Sequence, residues 1–258
     1  MSQALPRTDF TGSGLIRLLA GLSLVESAGS RQFPAEELGR WLDVADAITL
    51  HAAQGAGAAV VPAARQGPPP VSGAAVAGEF ARVRATLLDL IVASCSPDGN
   101  GSRIRLPLPG AGVVPENAAA YGPFRRFHLA LQSEMETGIR ALRGGIRQAL
   151  AAASAGLGRL AALDEACERV LAVRERQLLA TTLPALLEKR FQNLLAAHRQ
   201  TLDDSGQGDD PALWMQPGGW LAAFRDELRA LLIAELDLRL QPVLGLVEAL
   251  RNEAGSQR

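Results

Sequence analysis

An all-α protein, built as an elongated helical bundle, is what this sequence predicts, and three observations predict it. Apolar residues make up 48% of the 258 positions while aromatic residues make up only 4%, so the core must come from Leu, Ala and Val. Ala and Leu head the helix-propensity ranking. Apolar residues also recur at three- and four-residue spacings over stretches far longer than a strand. The segments that break this period are clusters of Pro, Gly, Ser and Asp, which end helices.

Taken in order, Leu15, Leu18, Leu19 and Leu22 predict a short amphipathic helix, with Thr11 or Ser13 as its N-cap. A second helix is expected from Pro34, a favourable first-turn residue, with Leu38, Trp41, Leu42, Ala45 and Ile48 on one face. Residues 1–54 thus read as an N-terminal helical hairpin. Residues 55–74 contain three consecutive prolines among Gly, Ala and Ser and predict a semi-rigid linker and domain boundary.

The bundle is expected over 75–258. Val76, Phe80, Val83, Leu87 and Leu90 make a helical row that stops at Ser96-Pro97-Asp98-Gly99, and an irregular loop is expected over about 97–116. Phe124, Phe127, Leu131, Met135, Ile139, Leu142, Ile146 and Leu150 then mark a helix of roughly 35 residues, or roughly 50 Å. Inside it Gly144-Gly145 suggests a kink or a close backbone approach. A reversal is expected at Ser154–Gly158, then a second long helix from Leu160 to Leu195 kinked at Pro184. These two form a long antiparallel hairpin. A polar connector covers about 203–218. The last helix opens near Trp220 and runs to about Asn252: the row Phe224, Leu228, Leu232, Leu236, Leu240, Leu244 is too long for a strand. Its apolar face is wide enough to need two neighbours.

Charge and composition narrow the functions. The formal net charge is −1, so no global field draws nucleic acid or anionic membrane. Lys189 is the only lysine, which excludes a GK[ST] phosphate loop anywhere but there, and none is present there. Cys95 and Cys167 are two isolated thiols with no CxxC, which suits a reducing cytoplasm. Arg17 interrupts the apolar part of the N-terminal run and Asp9 occupies the place of a basic n-region, so export is not expected. No stretch reads as a membrane-spanning helix, and a soluble, cytoplasmic protein without direct membrane insertion is expected.

Catalytic arrangements are scarce. His51, His128 and His198 belong to no HExxH, ExxH or Cys/His spacing, and no metal or cofactor site is expected. TGSGL at 11–15 matches neither GxSxG nor GxGxxG. Glu134 with Glu136, and Asp164 with Glu165 and Glu168, lack the histidines of a di-metal bundle, and inward positions read as aliphatic. Arg125, Arg126, Arg140, Arg143 and Arg147 form a basic stripe, the candidate phosphate contacts of a nucleic-acid-associated factor. An enzyme would need His128 or His198 brought beside a carboxylate from afar. Trp41, Trp214 and Trp220 are candidate anchors, since Trp is enriched at interface hot spots.

SGLIRLLAGL, RWLDVADAITLHAA, FHLALQSEMETGIRALR, LPALLEKRF and AELDLRLQPVLGLVEALR, in this order and spacing, resemble a bacterial family known as domain of unknown function 3348. The resemblance spans nearly the whole chain outside 55–74 and 98–116. It implies no reaction, cofactor or catalytic residue, and it implies a cytoplasmic partner of an envelope-associated, membrane-protein assembly. The expectation is therefore a non-enzymatic scaffold or interaction protein that binds another protein or a second copy of itself. The contact is expected at Trp220, Leu232, Leu236, Leu240 and Val243.

Overall fold

A computed structural model describes residues 13–25, 42–56, 72–97, 101–109 and 119–256. The expected helix start at Pro34, with Leu38 and Trp41, lies outside them, as do Thr11, most of the 55–74 linker and residues 110–116 of the irregular loop. The architecture is all-α, and no strand occurs among the described residues.

Helix α1 spans Gly14–Gly21 and buries Leu15 and Leu19. Ser13 holds the extended N-cap backbone, yet its side chain makes no capping bond, contrary to the sequence expectation. Helix α2 spans Val44–Ala56. Its expected inward residue Ile48 is exposed, and Ala53 is buried instead. Helix α3, Gly73–Cys95, is capped by the Ser72 hydroxyl, which accepts from the Ala75 N–H at 3.2 Å. It ends where the sequence places its turn cluster.

Helix α4, Gly122–Ala153, buries every residue of the row from Phe124 to Leu150. The expected five-residue reversal is tighter than anticipated. Only Ser154 is extended (φ −157°, ψ 158°), and its hydroxyl accepts from the Leu157 N–H to start helix α5 at Ala155–Gln177. The two helices come into ordinary contact here: a Cβ on Gly158 would lie 3.7 Å from the Ala151 Cα. Helix α5 runs through a π-helical turn, Leu178–Thr182, into helix α6 at Leu183–Ser205. A short 3-10 turn at Pro211–Leu213 leads to helix α7, Trp220–Ser256, which continues through Pro242.

Pro184 explains the π-turn. A proline cannot donate, and inside an α-helix its ring collides with the carbonyl four residues back. Here the Leu183 N–H bonds the Leu178 carbonyl, a five-residue step that inserts one extra residue before the proline. Within that register Leu179 offers the carbonyl that Pro184 cannot serve. The chain bulges where the sequence predicts a kink.

The core is centred on α7, against which α1, α3, α4, α5 and α6 all pack. The expected groove between two helices is thus a nearly complete sheath. Leu228, Leu232, Leu236 and Leu240 are buried, but Leu244 is exposed and Val243, Leu246, Val247 and Leu250 take over. A four-residue step turns about 40° past a full circle at 3.6 residues per turn, so the straight row drifts off the inward face. Helices α1 and α2 each dock on the bundle, α1 on α7 and α2 on α5.

Candidate functional site

The interior is not purely aliphatic, which corrects the reading of inward positions above. His128 and Glu235 are each 0% exposed, and Gln132 is almost as buried. On α4, His128 and Gln132 follow Phe124 at four-residue steps, one position beside the main apolar row. The row, with Phe124 against Phe191 of α6 and Phe224 of α7, and the polar pair, which meets Glu235 of α7, are both buried because α4 is covered from more than one side.

Glu235 receives every donor in reach. Its Oε1 accepts from Gln132 Nε2 at 2.9 Å and from Arg239 Nε and Nη2 at 2.9 and 2.8 Å. Its Oε2 accepts from Gln132 Nε2 at 3.0 Å and faces His128 Nε2 at 3.3 Å. Arg239, one turn further along α7, also reaches Glu175 of α5 at 2.8 Å. The same Gln132 amide donates to the Leu179 carbonyl at 2.8 Å. Gln132 thus takes up the acceptor that Pro184 leaves without a backbone donor. Burial alone would push the Glu235 carboxyl up. The hydrogen bond from His128, the Arg239 charge and the Gln132 amide outweigh it and hold the group below its ordinary value.

Above this centre a cleft of about 650 Å³ opens between α4, α5 and α7, floored by Gln132, Leu179 and Ala180. The arginine stripe divides here. Arg143 and Arg147 are recessed and clamp Asp164 at 2.6 Å each, with Glu168 at 2.7 Å from Arg147. Burial opposes the Asp164 charge, and the two guanidinium groups overcome it and hold its carboxyl below the ordinary value. Arg140 pairs with Glu136 one turn back on α4. Arg125 and Arg126, outside the cleft, are exposed and make no ion pair among the described residues. The five arginines therefore do not form one continuous phosphate-facing stripe.

The other histidines are placed as follows. His198 faces Asp209 at 3.0 Å and stacks on Trp220 with ring centroids 6.1 Å apart, while Trp214 Nε1 donates to the same Asp209 at 2.7 Å. This cluster pins the connector before α7. His51 is exposed. Two histidines therefore meet carboxylates, as an enzyme would require, and the His128–Glu235 pair is fully buried. Among the described residues, no group of three or more His, Cys, Asp or Glu is arranged to hold a metal ion.

Trp220, Leu232, Leu236, Leu240 and Val243, the expected partner contacts, are all buried in the chain's own core. They hold α7 inside its sheath and present no surface. An apolar opening exists elsewhere, on the other side of α4 from the charged cleft. A groove of about 540 Å³ lies between α3 and α4, walled by Val76, Val83, Leu87, Leu142 and Ile146. The two helices touch where a Cβ on Gly138 would meet Leu87 Cδ2 at 3.3 Å, whereas a Cβ on Gly145 would meet nothing within 4 Å. The helices diverge from the first point toward the second, and Gly145, Ala141 and Ala149 keep the wedge open.

Among known proteins, a family model described as "Protein of unknown function (DUF3348)" matches residues 1–252. No curated protein and no solved structure matches the chain.

Proposed function

We propose, from the premise that this chain belongs to the DUF3348 family of proteins of unknown function, that it is a non-enzymatic interaction protein. Its α3–α4 groove receives the apolar face of a helix from another protein. One observation carries the reading: the fold covers nearly all of the wide face of α7 yet leaves this wedge between two well-packed helices open. Recognition of an amphipathic helix in an apolar groove needs anchors at helical spacing and walls that allow close approach. The small residues Gly138, Ala141, Gly145 and Ala149 recur along α4 at such spacing and supply that approach. The lined stretch, 138–149, spans roughly 18 Å at 1.5 Å per residue, three turns of a bound helix.

On the rim Glu79 and Arg82 pair with each other, so the groove's edge is neutral and selects by apolar area rather than charge. No helix among the described residues is long and apolar enough to cross a membrane, so a membrane assembly would be met through its extramembrane parts. The reading places the protein as a partner of such an assembly, in the cytoplasm.

Photo-crosslinking from position 141, in the organism that encodes the chain, tests this. The expected result is one recurrent partner, crosslinked through an amphipathic helix and lost in the groove-filling variant Gly145→Leu. A product joining two copies of this chain would overturn the choice of occupant. Crosslinking undiminished by Gly145→Leu would overturn the groove.

A further inference from the structure

We propose that the charged cleft between α4, α5 and α7 binds a small phosphate ester that also carries a hydroxyl, its phosphate held between Arg169 and Arg176. The inference is independent of the groove, which lies on the other side of α4. Six arginines and four glutamates line the cleft: Arg140, Arg143, Arg147, Arg169, Arg176 and Arg239 against Glu136, Glu165, Glu168 and Glu175. Most of this charge is already matched. Arg140 pairs with Glu136, Arg143 and Arg147 with Asp164 and Glu168, and Arg239 with Glu235 and Glu175. Arg169 and Arg176 have no acidic partner among the described residues, and Glu165, one turn before Arg169, is the remaining unmatched acid.

Geometry favours a shared ligand for the two arginines. They stand seven residues apart on α5, close to two full turns, so both occupy the same face about 10 Å apart. Ala172, between them on that face, leaves the space over the helix free. Two guanidinium forks can converge across such a gap on one phosphate, whose three oxygens accept from both. A phosphomonoester dianion also suits two unmatched cations better than a monovalent carboxylate does.

A second, independent observation points to a ligand. Gln132 lines the cleft, is only 4% exposed, and its Oε1 has no hydrogen-bond partner. Its amide nitrogen is committed to Leu179 and Glu235, which fixes the oxygen as the group facing no donor. A buried acceptor without a partner is costly. A ligand hydroxyl, placed by the arginines, would supply the donor. The cleft is walled by three helices and holds about 650 Å³, within the range of small-molecule sites. Its recessed Arg143 and Arg147 are 12% and 16% exposed and already paired with Asp164.

Calorimetric titration of the full chain with glycerol 3-phosphate and with methyl phosphate tests the proposal. Binding of glycerol 3-phosphate is expected, about fivefold tighter than methyl phosphate, as one net hydrogen bond supplies. The double variant Arg169→Gln/Arg176→Gln should weaken it at least tenfold. Arg174→Gln, which removes one charge from α5 outside the cleft, should leave it within twofold. Absence of binding by the wild type, equal losses in the Arg174 and cleft variants, or an unweakened double variant would each overturn the site. Retention of duplex DNA that only the double variant loses would overturn the small-molecule ligand.

Discussion

Replacing Glu235 with alanine strips the bundle interior of the one carboxylate to which His128, Gln132 and Arg239 all turn. The magnitude follows from what each donor keeps. Arg239 retains Glu175 at 2.8 Å, and Gln132 retains the Leu179 carbonyl at 2.8 Å. His128 retains nothing: its Nε2 loses its one partner, and its Nδ1 already has none. Breaking a buried charged pair from one side costs about 3–5 kcal/mol. Because two of the three donors keep a partner, Glu235→Ala should fall at the lower end, about 3 kcal/mol. Urea denaturation followed by far-UV circular dichroism at neutral pH measures it. The double variant Glu235→Met/His128→Leu removes both orphans and fills the space, so it should recover at least half of the loss. Acid adds a second readout. The folded carboxyl titrates below its ordinary 4.5, so its stabilisation is fully present above that value and is lost as pH falls through the folded pKa. Wild type should therefore lose stability below pH 4.5 more steeply than the double variant. A Glu235→Ala cost under about 1 kcal/mol, or parallel acid profiles, would refute the reasoning.

Four further outcomes follow from single positions. Gly144 has nothing within 4 Å of an added Cβ, so Gly144→Ala should stabilise by about 1 kcal/mol of helix propensity. On Gly219 the same Cβ would sit 2.2 Å from the Trp214 carbonyl oxygen, so Gly219→Ala should lower the melting temperature clearly, against the rise for Gly144→Ala. Tyr121, the only tyrosine, donates its buried hydroxyl to the Pro184 carbonyl at 2.7 Å. Tyr121→Phe should cost about 1 kcal/mol in urea denaturation, the usual net worth of such a bond. Burial pushes the Cys95 thiol up to about 12, whereas Cys167 is partly exposed and less strongly raised. A disulfide reagent should therefore label one thiol in the native chain and two after unfolding, with Cys167→Ala abolishing native labelling.

How far the sequence could be read depends on what each residue's neighbours had to decide. The α4 row from Phe124 to Leu150 was legible to the residue because a 3.6-residue period needs no partner to be seen. The long α7 was legible as a helix on length alone. Its inward face was not fully legible, since a strict four-residue row drifts and Leu244 ends in solvent while Val243 is buried. Gln132 and Glu235 were missed, and His128 was named without its partner, for a related reason. Each stands one position beside an apolar row, where a singly packed helix would expose it, and only burial from several sides turns it inward. A signal did exist: His128 and Gln132 are four apart on α4, and Glu235 and Arg239 are four apart on α7. Pairing the two requires the fold. The arginine stripe failed similarly, because the spacing of Arg140, Arg143 and Arg147 shows a shared face but not the facing Asp164.

The buried polar centre also answers a problem that composition creates. Helices made of Leu and Ala offer nearly equivalent packings after sliding by one turn of 5.4 Å, and such uniform cores lose uniqueness before they lose stability. A Gln132 amide that bonds both the Leu179 carbonyl and Glu235 ties α4 to the π-turn and to α7 at one register. Arg239 extends the tie to Glu175 on α5. Any one-turn slip would separate all of these partners while leaving leucine against leucine. Buried polar groups fix register at some cost in stability where this has been measured in coiled coils. The Glu235→Met/His128→Leu variant separates the two contributions. It should keep its far-UV helicity, yet show weakened near-UV ellipticity and bind a hydrophobic dye. Native near-UV signal with no dye binding would show that leucine packing alone selects the register.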